Sequence, residues 1–199
     1  METIKVRNYS SAKYIAVLAA AVVLGFFIFT QINNGGTTSQ GLVVPDATIS
    51  QDEVMPDVST ASLEEMLTFI VQEEKLAHDL YVQLAQTSGA RQFSNIVNSE
   101  ATHISLVQGL LTYYNIVDPT IALAEGEFLD QDLQALYDNL LVSGSVDRAG
   151  AMAAGIAVEE KDIADIEAML ATNLPSDVAS VLERLLSGSQ NHLVAFQRG

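Results

Sequence analysis

The stretch Glu100-Ala101-Thr102-His103 lies inside a long run with the periodicity of a helix. Apolar residues recur on both sides of it every three or four positions, which marks one face of a helix. Continuing that spacing places Glu100 and His103 on the stripe that should be buried. A buried charge is costly unless it is paired or binds a metal, and Glu-x-x-His is the unit used by carboxylate-bridged two-metal helix bundles. The apolar positions that set this phase are Phe93, Ile96, Val107, Leu110 and Tyr114.

Composition narrows the chemistry open to this chain. Its 199 residues are 49% hydrophobic, enough for one domain with accessory segments. It has no cysteine, so thiolate metal sites and iron–sulfur centres are excluded, and carboxylates and imidazoles remain as ligands suited to iron, manganese or zinc. The formal net charge of −16 argues against a nucleic-acid partner, which would require a basic surface, and is typical of a well-solvated exterior.

The N-terminal segment has the pattern of a membrane anchor. Lys5, Arg7 and Lys13 precede an apolar run over residues 14–29, and no small-x-small cleavage motif follows it. We therefore favour an uncleaved transmembrane helix over a cleaved signal peptide. The positive flank predicts a cytoplasmic N-terminus (1–13), a single-pass anchor in the cell membrane (14–30), a flexible linker (31–58) and an extracytoplasmic helical domain (59–199).

Four long amphipathic helices are predicted in that domain, over about 62–86, 94–114, 147–170 and from 176 onward. A connection over about 115–146, which carries a short extra helix, separates the second from the third. This order predicts an all-α four-helix bundle with one long crossover. Each long helix carries a metal-competent group on or near its apolar stripe: Glu74, then Glu100 with His103, then Glu159 or Glu160, then His192.

Each of these residues also has an ordinary explanation when taken alone. A single Glu is more often at a helix edge, and a single His on an apolar face is more often a hydrogen-bonded core residue. Convergence from four helices favours a metal site over these alternatives. We interpret His78 as a surface or supporting residue, and Asp162, Asp165 and Glu183 as solvated. Glu167, two turns after Glu160, is the exception worth testing.

Four segments carry a family resemblance that covers about residues 60–199. They read Glu-Glu-Lys-Leu-Ala-x-Asp-Leu-Tyr (73–81), Phe-Ser-Asn-Ile-x-x-Ser-Glu-x-x-His (93–103), Glu-Glu-x-Asp-Ile-x-Asp-Ile-Glu (159–167) and Gly-Ser-x-Asn-His-Leu-x-x-Phe (188–196). The chain resembles the ferritin-like superfamily of ferritins, bacterioferritins and rubrerythrins, and looks most like a prokaryotic ferritin-like family of unknown function. The resemblance thus implies a ferritin-like bundle.

The resemblance also implies a set of ligands. Ferritins place a Tyr seven residues after the first-helix Glu, which selects Glu74 with Tyr81, and a Lys directly after the third-helix Glu, which selects Glu160 over Glu159. Glu74 and Glu160 are then expected to bridge two metal ions. Terminal ligands would be Glu100, His103 and His192, with support from Tyr81, Ser189, Glu159 and Glu167.

One position departs from the superfamily pattern. Two-metal members usually carry a carboxylate about three residues before the fourth-helix histidine, where this chain has Ser189. The second ion would then be held weakly, by water, or by a third-helix carboxylate such as Glu167, and a one-metal site or none is the further alternative.

The resemblance implies a di-iron or iron/manganese cofactor and a ferroxidase or peroxide-reducing oxidoreductase. The expected partners are metal ions, dioxygen or peroxide, and a second copy of the chain in a homodimer. Ser189 favours a second hypothesis, a non-catalytic helical module tethered at the membrane, which binds a partner or has a structural role.

Overall fold

The helices predicted for the C-terminal domain are present. The computed structural model describes residues 60–199, and this part of the chain forms five α-helices and no β-strand. The all-helical prediction is therefore confirmed for these residues. The predicted cytoplasmic segment, anchor and linker lie outside them. None of the five helices is long and apolar enough to cross a membrane. Their bounds are α1 Thr60–Ser88, α2 Arg91–Tyr113, α3 Gln131–Gly144, α4 Arg148–Leu170 and α5 Ser176–Gln197.

The four long helices pack in a ring around one core. Helix α1 contacts α2 and α4, and α5 contacts the same two helices, while α3 packs against α1 and α4. Short connections at 89–90 and 171–175 join the two pairs that are adjacent in sequence. Gly89 ends α1 in the left-handed region, at φ +64°, where glycine carries no steric penalty. The centre of α1 is buried on nearly every side, over residues 66–77.

The long crossover is held against α1 by buried polar groups. The Gln72 side-chain oxygen accepts hydrogen bonds from the backbone N–H groups of Leu129 (2.8 Å) and Asp130 (3.1 Å). The Asp130 carboxylate in turn caps α3, accepting from the N–H groups of Asp132 and Leu133. These bonds fix where the crossover ends and α3 begins.

Helix α4 is rotated relative to the sequence prediction. Its buried face contains small residues, including Ala151, Ala154 and Gly155, while the bulky Ile156 and Ile163 that suggested the stripe are only half-buried. The reason is space: a Cβ on Gly155 would lie 2.9 Å from the Phe196 ring. Because aromatic side chains from other helices already fill the core here, α4 turns its small residues inward.

Candidate metal centre

Helix α2 brings Glu100 and His103 together in the core. Both are buried, with 2% and 6% of their surface exposed, and the imidazole Nδ1 lies 3.0 Å from Glu100 Oε2. The same Nδ1 is 3.2 Å from Oε2 of Glu74 on α1. The side chains predicted to converge from the first two long helices therefore meet.

Helices α4 and α5 complete a second group of the same kind. His192 Nδ1 lies 2.8 Å from Glu100 Oε1 and 3.6 Å from Glu159 Oε1. Two sets of buried ligand atoms result, each within 4.8 Å of one another: Glu74, Glu100 and His103, and Glu100, Glu159 and His192. Glu100 belongs to both sets, whereas the resemblance implies that Glu74 and Glu160 are the shared carboxylates.

The prediction that Glu160 faces the core is wrong. Glu160 is exposed, whereas its neighbour Glu159 is 2% exposed and lies in the second group. The 100° turn between adjacent helical residues means that only one of the pair can face the core, and the small-residue face of α4 selects Glu159. Glu167 is exposed as well, so it lies outside both groups.

Tyr81 orients the Glu159 carboxylate. Its buried hydroxyl donates a 2.6 Å hydrogen bond to Glu159 Oε1, and its ring packs against Phe93 and Phe196 at centroid distances of 5.4 and 5.2 Å. The aromatic contacts fix the tyrosine ring, and the hydroxyl in turn fixes one rotamer of the carboxylate. Such outer hydrogen bonds commonly hold metal-binding carboxylates in place.

The two histidine rings are also held from outside the cluster. His192 Nε2 lies 3.0 Å from Ser99 Oγ, which leaves Nδ1 facing the carboxylates. The His103 ring packs against Gly188 of α5, where a Cβ would lie 2.4 Å from its Nε2. Any side chain at position 188 would therefore require the His103 ring to shift.

Asp162, predicted to be solvated, is instead a buried carboxylate. It is 7% exposed and accepts a hydrogen bond from the Ser189 hydroxyl. The signal was present, because Asp162 follows Glu159 by three residues and so shares its face. It was missed because the apolar stripe of α4 was placed one residue out of phase.

Glu73 is buried beside Glu74 but has a different role. Its Oε1 accepts a 2.5 Å hydrogen bond from the Lys161 ammonium group, which also pairs with Asp165. Burial alone would lower the pKa of Lys161. The attraction of the Glu73 and Asp165 carboxylates outweighs burial, so this pKa is raised. Glu73 is thus part of an ion pair between α1 and α4, and Glu74 remains for the cluster.

Burial and close neighbours shift the pKa values of the charged groups in the cluster. Burial, together with the nearby Asp162, raises the pKa of Glu74 well above its ordinary value. Burial also raises the pKa of Glu159 to about 7 and that of Asp162 to about 6. Burial acts to lower the pKa of His103, but hydrogen bonds with Glu100 and Glu74 outweigh it and raise this pKa to about 10. Cations placed among these carboxylates would stabilise their charged forms.

Within residues 60–199, several polar atoms of the cluster are buried and have no hydrogen-bond partner. In a protein interior this is rare and calls for an explanation such as a missing water or ion. The atoms are Glu74 Oε1, Glu100 Oε1, Asp162 Oδ1 and His192 Nδ1. Glu100 Oε1 and His192 Nδ1 are only 2.8 Å apart yet are not aligned as a hydrogen bond. This arrangement fits groups that share an ion, and the donor set of oxygen and imidazole nitrogen fits iron, manganese or zinc.

Comparison with known proteins identifies relatives of this domain. The chain is 38% identical over 127 residues to Uncharacterized protein MJ0754 of Methanocaldococcus jannaschii, covering 64% of this chain and 69% of that protein. The crystal structure of hypothetical protein MJ0754 from Methanococcus jannaschii DSM 2661 is similar with a TM-score of 0.68 and 36% identity, covering 72% of this chain and 81% of that one. Residues 64–199 match the family described as Uncharacterized protein domain (DUF2202). Since the match extends over more than half of the sequence, the chain belongs to the DUF2202 family.

Proposed function

We propose that this is a ferritin-like protein that binds two metal ions, iron or iron with manganese, and acts as a ferroxidase or a peroxide-reducing oxidoreductase. The observation that carries the proposal is the pair of buried ligand groups that share Glu100. The ring of four long helices, with a crossover between the second and third of them, supports the ferritin-like assignment. In such bundles, carboxylates and Glu-x-x-His units from facing helices hold the metal pair.

Charge balance supports two ions rather than one. The cluster contains four buried carboxylates, Glu74, Glu100, Glu159 and Asp162, and two histidines. With neutral imidazoles, the four negative charges equal the positive charge of two divalent ions. The Lys161 ammonium is paired with Glu73 and Asp165, so without metal the positive charge beside these carboxylates comes from protonated His103 and His192, whose protons the two ions would replace.

The residues of the chain would bind, orient and shield the ions. His103 with Glu74 and His192 with Glu159 would be the two ends of the site, and Glu100 would join them. Bound iron would supply reversible one-electron redox chemistry toward dioxygen or peroxide. Tyr81 would keep Glu159 in its binding rotamer through their hydrogen bond. The sequence has no cysteine, so electrons would come from an external donor or from ferrous substrate.

The location follows the sequence pattern of the first 58 residues. The positive flank and apolar run favour a single-pass anchor with the bundle outside the cytoplasm. Peroxide or dioxygen and metal ions would then reach the domain from the extracytoplasmic side. An anchored pair of subunits remains compatible with this arrangement, whereas a closed storage shell with an anchor on every subunit would be awkward to assemble.

The test is anaerobic titration of the full chain, purified in detergent, with Fe(II), followed by exposure to oxygen or peroxide. Roughly two equivalents of iron should bind, and oxidation should follow. In the Glu159→Gln variant, binding at the His192 end should fall at least about tenfold, because a ligand carboxylate is lost. The measurements are metal analysis after desalting and the rate of oxidant consumption.

Glu160→Gln is the matched control, since the same change is made one residue away on the exposed side of α4. It should bind and oxidise iron as the unaltered chain does. Iron stoichiometry near zero in the unaltered protein would refute the proposal and favour a non-catalytic tethered module. Equal losses in the two variants would show that α4 does not present Glu159 to the metal.

A further inference from the structure

We infer that Asp162 is a metal ligand, and that it completes the ion site formed by Glu74 and His103. This inference rests on the proposed function and adds a residue to its site. The superfamily resemblance places a carboxylate on the fourth long helix, at the position of Ser189. Here the carboxylate comes instead from α4, across a hydrogen bond with that serine.

The ligand count at the two ends of the site leaves one carboxylate unassigned. Each of the two groups has a histidine and a carboxylate of its own, and both depend on Glu100 for the third ligand. Two-metal bundles typically use four carboxylates with two histidines. Glu74, Glu100 and Glu159 account for three of the four, so one carboxylate is still to be assigned.

Asp162 is the remaining buried carboxylate beside the cluster and would be the fourth carboxylate ligand. It lies one turn after Glu159 on the inward face of α4, and its Oδ1 is buried without a hydrogen-bond partner. Asp162 lies outside the two groups whose ligand atoms fall within 4.8 Å of one another, so its side chain would turn toward them to bind an ion. Its charge acts on Glu74 more strongly than that of any other charged residue, which favours the Glu74–His103 end over the His192 end.

A purely structural role does not account for this carboxylate. The Ser189 hydroxyl also lies 3.1 Å from the Leu185 carbonyl of its own helix turn, which by itself would satisfy a buried serine. Among residues 60–199, no lysine, arginine or histidine forms a salt bridge with Asp162. His103 and Lys161 lie near enough to lower the pKa of Asp162, but neither forms a salt bridge with it. A buried carboxylate that lacks an ion pair in this part of the chain fits a metal ligand.

Ser189 then becomes a positioning residue. By donating to Oδ2 it holds the Asp162 carboxylate in one rotamer and leaves Oδ1 available. The departure from the superfamily pattern is thus a relocation of the fourth carboxylate from α5 to α4. It does not reduce the number of carboxylates in the site.

The experiment is Mn(II) titration of the full chain in detergent, followed by electron paramagnetic resonance and equilibrium dialysis. The unaltered protein should bind two ions. Asp162→Asn should keep the ion at Glu159 and His192 and lose the other, or bind it at least about tenfold more weakly. Glu167→Gln, the exposed carboxylate on the same helix, is the matched control and should still bind two ions.

Two ions bound by Asp162→Asn as tightly as by the unaltered chain would overturn the inference while leaving the proposed function intact. No metal bound by the unaltered chain would refute the proposed function itself. Should Asp162→Asn fail to fold by circular dichroism, Ser189→Ala decides instead, because it removes the hydroxyl that donates to Asp162 Oδ2 and keeps the carboxylate on α4. Weaker binding of one ion by that variant supports the inference, and two ions bound as tightly as by the unaltered chain overturn it.

Discussion

The position of His103, a ligand of the proposed site, depends on Gly188 of helix α5 having no side chain. A Cβ on Gly188 would lie 2.4 Å from its Nε2 and 2.5 Å from its Cε1, which is well inside van der Waals contact. We predict that Gly188→Ala displaces the ring and weakens the ion at Glu74 and His103 by about tenfold to a hundredfold, the range seen when the surroundings of a ligand are disturbed. Mn(II) titration of the full chain measures this change.

Gly109→Ala is the matched control, since it makes the same substitution in the neighbouring helix α2. A Cβ at Gly109 would meet nothing within 4 Å. There the change should only reduce the helix penalty of glycine, and so stabilise the fold by about 0.5–1 kcal/mol, with metal binding unchanged. Equal affinity of Gly188→Ala and the unaltered chain would show that α5 does not set the position of His103.

Among the elements, the crossover between α2 and α3 depends on α1 through Asp79. The carboxylate accepts a 2.9 Å hydrogen bond from the backbone N–H of Gly126 and pairs with Lys75. Lys75 also donates to the Ala124 carbonyl and lies 4.9 Å from the centroid of the Phe128 ring. We predict that Asp79→Asn lowers the free energy of unfolding by about 1.5–3 kcal/mol, the range for hydrogen bonds to charged groups. Chemical denaturation of the full chain measures it.

The stability that Asp79 contributes to the fold should decrease as the pH falls. Burial acts to raise the pKa of Asp79, but hydrogen bonds with His78 and Lys75 outweigh it, and the pKa is lowered. Its stabilisation is therefore present above the unfolded-state pKa of about 3.9 and is lost as pH falls through the lower folded value. Asp79→Asn should lose less stability on acidification than the exposed-site control Asp138→Asn. Parallel curves would contradict this role.

Helix α4 shows where sequence reasoning succeeds and where it fails. Periodicity located Glu74, Glu100, His103 and His192, because large apolar residues define the buried face of their helices. On α4 the inward face mixes Ala151, Ala154 and Gly155 with larger residues, while Ile156 and Ile163 lie at its edge. The apolar spacing therefore left Glu159 and Glu160 open, and the ferritin resemblance selected Glu160. Glu160 replaced Glu159, and Asp162 was assigned to the surface. The contact that brings Phe196 of α5 against Gly155 of α4 depends on tertiary packing, and a single sequence does not reveal which residues will be in contact.

In the whole molecule, the order of helices was predictable and their contacts were not. The crossover and the extra helix followed from turn residues and the leucine spacing, and both are present. Which helices face each other depends on packing among distant segments, such as α2 against α5. That packing brings Ser99 to His192 and Gly188 to His103, two supporting contacts with no local sequence signal.

The cluster joins all four long helices, so metal binding should stabilise the fold as a unit. Glu74 lies on α1, Glu100 and His103 on α2, Glu159 on α4 and His192 on α5. A ligand present at a hundred times its dissociation constant adds about 2.7 kcal/mol. For a chain of this size, that corresponds to a rise in melting temperature of roughly 5–10 °C. Circular dichroism melts of the full chain with Mn(II) and with a chelator measure the rise.

The variants Glu159→Gln and Glu160→Gln separate this coupling from surface binding. The rise should shrink in Glu159→Gln, because α4 then loses a link to the ions, and it should persist in Glu160→Gln, whose side chain is exposed. Bound Mn(II) with no rise in melting temperature would place the ions on the surface, since an ion held by four helices has to be released before they separate. The same result would remove the reason for burying four carboxylates in the core.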